Sequence, residues 1–141
     1  MKTKTQRFIT AISVLILVGT PGVAFAKYSI PADQLQPTKI YYGTSESFEK
    51  PGKVRFKDII KATPEYHEVK RDKIERGTGR YWILLSQASD RANRAIHEVG
   101  EKTDYDLIAL DGYLGHLKPA IKADDITDLV IETMTESLNK K

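Results

Sequence analysis

The chain has no cysteine, one tryptophan and two methionines in 141 residues. Without thiols there is no disulfide framework, no thiolate metal centre and no cysteine nucleophile. Nine glycines and six prolines are too few for a collagenous or low-complexity chain. Histidine stands only at 67, 97 and 116, in three separate segments, and no HxH or HExxH spacing occurs. His67 and His97 are expected on helix surfaces. The aspartates at 104, 106, 111, 124 and 125 lack the spacing of a calcium-binding EF-hand loop. They are expected to serve as caps and solvated turns. Ser86 and Ser89 sit in no G-x-S-x-G elbow. Gly77-Thr78-Gly79 lacks the lysine and the remaining glycines of a phosphate loop. The expectation is a protein without metal or cofactor that is not an enzyme.

What is present begins with a leader. Lys2, Lys4 and Arg7 form a basic start, Phe8 to Val18 is a mostly apolar run, and Pro21-Gly22 ends it. Ala24-Phe25-Ala26 then reads as a cleavage site before Lys27. The run is short for a bilayer span, and no cysteine follows it for lipid attachment. Residues 1–26 are therefore expected to be a cleaved signal peptide, and the mature chain to be periplasmic, near a membrane without spanning it.

Removing the leader changes the charge argument. It carries three of the chain's 22 cations and none of its 19 anions, so residues 27–141 balance at 19 of each sign. The formal net charge of +3 belongs to the leader, and no nucleic-acid partner is expected. The charge is still uneven along the chain. Glu49 to Arg80 holds ten cations and six anions, and Tyr81 to Lys141 holds seven and eleven.

Residues 27–52 read as an extended N-terminal segment with a short strand at Lys39–Tyr42, closed by the Pro51-Gly52 turn. Lys53 to Phe56 alternates as a half-buried strand does, and Asp58–Lys61 gives a short helical turn. Thr63-Pro64-Glu65 is a helix start: a capping hydroxyl, a proline preset for the first turn, and an acid at the positive end of the dipole. That helix is expected to run to about Arg76. Gly77–Gly79 interrupts it, and a second helix follows over Arg80–Lys102. Its apolar stripe runs through Tyr81, Leu85, Ala88, Ala92, Ala95, Ile96 and Val99, and Gly100 is expected to weaken its end. Asp106–Leu110 reads as a central buried strand, and residues 113–123 as a loop. Asp125 is expected to cap a last helix in a capping box with Asp128.

Geometry selects between one helix and two. A straight helix from Pro64 to Lys102 would be about 60 Å long and would leave its flanking strands far apart. A hairpin at Gly77–Gly79 returns the chain, so that both strands can join one sheet. The fold class expected is α+β: a small β-sheet body with a projecting helical hairpin and a C-terminal helix. Just past the hairpin's turn stands Tyr81-Trp82-Ile83-Leu84-Leu85. Five large apolar residues in a row go all round a helix, and a two-helix arm buries only part of them, so the rest must meet the chain's own body, another subunit or a client. Ile74, Tyr81, Trp82, Leu84 and Leu85 are accordingly the candidate client or oligomer contacts.

This order of elements resembles the Skp/OmpH family of periplasmic chaperones. The residues carrying the resemblance are Ala95-Ile96-His97-Glu98-Val99, Tyr105-Asp106-Leu107-Ile108 and Asp125 to Ile131, with Lys53–Lys61 at the other end. It covers most of residues 53–138. The resemblance implies a homotrimer with helical arms that holds unfolded outer-membrane or envelope proteins by shallow contact, without cofactor or nucleotide. Two features depart from the family: the first arm helix is short, and the mature chain is neutral where the family's arms are often basic. The alternative is a non-catalytic envelope scaffold with one defined partner.

Overall fold

In a computed structural model, residues 26–140 are described, and the leader expected over 1–26 lies outside them but for Ala26. A four-stranded mixed sheet is built from β1 (Ile40–Gly43), β2 (Pro51–Val54), β3 (Leu107–Leu110) and β4 (Asp124–Asp125). Its spatial order is β1-β3-β2-β4. β1 runs antiparallel to β3, while β2 runs parallel to both β3 and β4. Among the described residues four α-helices accompany it: α1 (Phe56–Lys61), α2 (Pro64–Arg71), α3 (Gly79–Lys102) and α4 (Thr127–Asn139). The α+β class expected from the sequence is what is found.

Strand β3 shows how the sheet is held. It is an inner strand, and Leu107, Ile108 and Ala109 are fully buried. A strand points successive side chains to opposite faces. Ile108 therefore joins Val54, Ile59, Ile96, Val130 and Met134 beneath the helices. Leu107 and Ala109 join Ile30, Phe48, Leu114, Leu117 and Ile121 on the other face. A strand buried on both faces needs a continuous apolar run, which is what Leu107–Leu110 supplies.

That second face is covered by residues far apart in sequence. The N-terminal segment contributes Ile30 and Phe48, and the β3–β4 connection contributes Leu114, Leu117 and Ile121. Polar bonds tie the two together. Gln34 donates from Nε2 to the Lys118 carbonyl and accepts from the Lys118 amide, at 3.0 and 2.8 Å. The Tyr113 hydroxyl donates to the Gln34 carbonyl and accepts from the Gln36 amide. Residues 27–50 thus supply an edge strand and part of a core layer, and Pro51 and Gly52 begin the inner strand β2.

Four local expectations differ from the structure in the body. Pro51-Gly52 is not a turn, because both residues lie in β2 and pair with Leu107 and Ile108 of β3. Phe56 opens α1 instead of ending β2, because the Arg55 amide donates to the Thr127 hydroxyl at 3.0 Å and leaves the ladder. The Phe56 ring then stacks on Tyr41, with centroids 4.9 Å apart. Gly100 does not weaken α3; a side chain there would stand 2.5 Å from the Tyr42 ring, so the glycine lets Tyr42 pack against the helix. The capping box at α4 does not form. Asp125 accepts from the Thr127 amide (3.1 Å) and hydroxyl (2.6 Å), and α4 starts at Thr127 behind Ile126.

Candidate contact surface at the hairpin tip

Helices α2 and α3 form an antiparallel hairpin whose parts follow from identifiable residues. Thr63 caps α2, its hydroxyl accepting from the Tyr66 amide at 3.2 Å and donating to the Ile60 carbonyl at 2.7 Å. Thr78 does the same for α3, accepting from the Tyr81 amide at 3.2 Å and donating to the Glu75 carbonyl at 2.9 Å. Each cap satisfies a backbone N–H that the first helical turn leaves without a partner. Helix α2 stops at Arg71, short of the expected Arg76. Lys73 adopts a left-handed conformation, with φ of 48°, and the Ile74 amide reaches back to the Val69 carbonyl at 3.0 Å. That closes the helix in the manner of a Schellman turn, with lysine where glycine is usual. Gly77 supplies the next left-handed residue, φ 89°, and the chain enters α3.

Charge pairs fasten the hairpin at both ends. At its base, the Arg91 guanidinium reaches both carboxylate oxygens of Glu65, with Nε contacts of 3.0 and 2.9 Å. This is a two-oxygen pair in a partly buried setting, and it is stronger than an exposed single contact. The bond to Arg91 holds the Glu65 carboxyl below the ordinary glutamate range, against the opposing effect of burial. Nearer the tip, Arg80 spans Glu68 at 2.7 Å and Asp72 at 3.1 Å, both exposed.

The five candidate contacts separate on this frame. Leu84 is 7% exposed and belongs to the core, alongside Val69 and Ala88. Leu85 is half-buried and packs against the main core cluster. Ile74 and Tyr81 are half-buried and line a groove of about 300 Å³ with Tyr66, Val69, Lys70, Lys73 and Arg76. Trp82 is 58% exposed and meets Tyr81 edge-to-face, with centroids 5.2 Å apart. Ile83, outside the expected set, is 60% exposed. The surface that results has an aromatic–aliphatic pair on α3 beside a groove rimmed by Lys70, Lys73 and Arg76. None of these three cations makes an ion pair among the described residues.

The aspartates sit elsewhere and are occupied structurally. Asp106 accepts from the Glu49 and Lys50 amides at 2.7 and 2.9 Å. Asp111 pairs with Lys53 at 2.9 Å, and Asp125 with Arg55 at 3.4 Å. Asp124 accepts from the Tyr105 hydroxyl at 3.0 Å. The hydroxyl of Thr127 bonds to Asp125 and holds its carboxyl below the usual range. His67 and His97 are exposed on their helices. Among the described residues no group of His, Asp or Glu is arranged to hold a metal ion, and no helix is long and apolar enough to cross a membrane.

The chain is thus defined by its geometry as a mixed α/β domain carrying a helical hairpin with an apolar, cation-rimmed tip. No family model, curated protein or solved structure matches the chain.

Proposed function

We propose that the chain is a binding protein of the bacterial periplasm, a short-armed Skp/OmpH-like holdase whose hairpin tip contacts unfolded outer-membrane or envelope proteins. The observation that carries this reading is the exposure of Trp82 and Ile83 on a hairpin fixed at both ends by charge pairs. Exposed large apolar side chains mark interaction sites more often than scattered surface residues do. A tryptophan gives large contact area at low entropic cost. Here the helix that carries them is already ordered, so binding does not have to order it. A holdase stabilises its client by mass action alone, so the reading needs no cofactor. It further takes the mature chain to begin at Lys27, after export, and to assemble as a homotrimer.

The test is aggregation of a denatured outer-membrane protein on dilution, followed by light scattering. Suppression by a severalfold excess of the chain supports the holdase, and its absence at that excess removes it. One observation favours the scaffold reading. Helix α2 has eight residues, about 12 Å of length at the usual rise, and cannot help enclose a large client. A scaffold would capture one defined protein from envelope extracts in a pull-down and would suppress no aggregation.

A further inference from the structure

We propose that the hairpin tip also docks on helix α4 of a second copy of this chain, in a head-to-tail contact. The three exposed large apolar side chains among the described residues are Trp82, Ile83 and Leu129. Two lie on the tip and the third on α4, and their settings have opposite charge. Around the tip stand Lys70, Lys73 and Arg76 without ion pairs, against one exposed unpaired acid, Glu75, while Glu68 and Asp72 are paired with Arg80. Beside Leu129, the exposed face of α4 carries Asp128, Glu132 and Glu136 at helical i, i+4 spacing, and these acids also make no ion pair. Asp90 is the one acid on the tip's own face of α3, two turns from Trp82.

The two surfaces cannot meet within one chain. Helix α4 lies against α3 around Arg91–Glu98, where Ser137 donates to Glu98 at 3.0 Å. From Trp82 that region begins about 13 Å along a continuous helix. Between two copies, one contact would bring Leu129 to Trp82 and Ile83 and would place the acids of α4 opposite the tip cations. A contact between two different surfaces of the same protein is heterologous, and it repeats until a ring closes or a filament grows. The surface is far smaller than the 20–30 residues a side of a stable interface, so the association is weak and depends on concentration. It covers the same Trp82–Ile83 pair offered to a client, so clients and second copies compete for the tip. The contact stands on charge and exposure alone and holds whether or not the chain is a holdase.

The experiment uses paired charge reversals in the purified chain, with association followed by sedimentation equilibrium. Lys73→Glu with Arg76→Glu makes one variant, and Glu132→Lys with Glu136→Lys makes the other. The unmodified chain is expected to associate more weakly as salt rises. Each variant alone is expected to lose at least about tenfold in association constant, because like charges then face each other. An equimolar mixture of the two is expected to regain it, since reversed tip meets reversed α4. An unmodified chain that forms nothing beyond its smallest species as concentration rises, a reversed chain that still does so, or a mixture that does not recover overturns the contact. Trp82 is the only tryptophan, so its emission gives a second readout that needs no variant. A blue shift with protein concentration supports the contact. A shift seen only with phosphatidylglycerol vesicles, and not with concentration, would assign the tip to a membrane and overturn it.

Discussion

The sheet body and the hairpin tip are built from the same residue types to opposite ends. In the body, apolar residues from seven segments meet on two faces of one sheet, and Val54, Ile96, Leu107 and Ile108 are fully buried. At the tip, five consecutive apolar residues are divided by one helix: Leu84 is buried and Trp82 and Ile83 face solvent. The body is held by packing, which is dense and costly to disturb. The tip is held in position by two threonine caps and the charge pairs of Arg80 and Arg91, and its apolar surface takes little part in stability. Residues that hold the fold and residues offered for contact are therefore separable, and substitutions can test that separation.

The largest effect is expected in the body. Ile96→Ala removes a fully buried side chain between helix and sheet and should cost about 3–4 kcal/mol in chemical denaturation. A loss below about 1 kcal/mol would mean that the two-faced core is not what holds the sheet. Next comes the polar link between β2 and α4. Thr127 is fully buried, and its hydroxyl accepts from the Arg55 amide while donating to Asp125. Thr127→Val keeps the shape and leaves that amide without its partner, at about 2 kcal/mol.

The hairpin base should respond less, and with a defined pH dependence. Glu65 is held below its ordinary range in the folded chain. Its contribution is therefore present above the unfolded carboxyl's range and is lost as pH falls through the lowered folded value. Unfolding midpoints measured from neutral pH down past about pH 4 should fall, and the fall should be shallower in Glu65→Gln. At neutral pH that variant should lose about 1 kcal/mol. An equal acid response in the variant would place the titration elsewhere.

Lys73 gives the smallest change and the opposite sign. A left-handed lysine costs about 1 kcal/mol relative to glycine. Lys73→Gly should stabilise the chain by up to about that amount in thermal unfolding, and a destabilisation would show that its side chain contributes to holding the turn.

How far the sequence led depended on whether a signal was local. Strand β3 was legible because four apolar residues in a row leave no polar face. The two helix starts were legible in the Thr-Pro-Glu order at 63–65 and in the glycines that break the hairpin. The layer under the sheet was not. Ile30 and Phe48 are isolated among polar residues, and their partners at 114–121 are more than sixty positions away. No periodicity records such a pairing. The early end of α2 was hidden because its left-handed residue is a lysine, and the first glycine stands four residues later. The use of Gly100 is a ring packed from another element, which no local signal carries. At the tip, the run 81–85 was visible as an excess of apolar surface. Which members stay exposed depends on the direction from which α2 and the sheet approach, and the run alone does not separate exposed Ile83 from buried Leu84.

The central claim is that Trp82 and Ile83 act in contact and not in folding. The most direct measurement compares the unmodified chain with a Trp82→Ser/Ile83→Ser variant in two assays on the same samples: thermal unfolding, and suppression of aggregation of a denatured outer-membrane protein. The account predicts an unfolding midpoint within a few degrees of the original, as for exposed substitutions, with suppression lost. Suppression that persists in the stable variant, or a midpoint that collapses with the substitution, would contradict it.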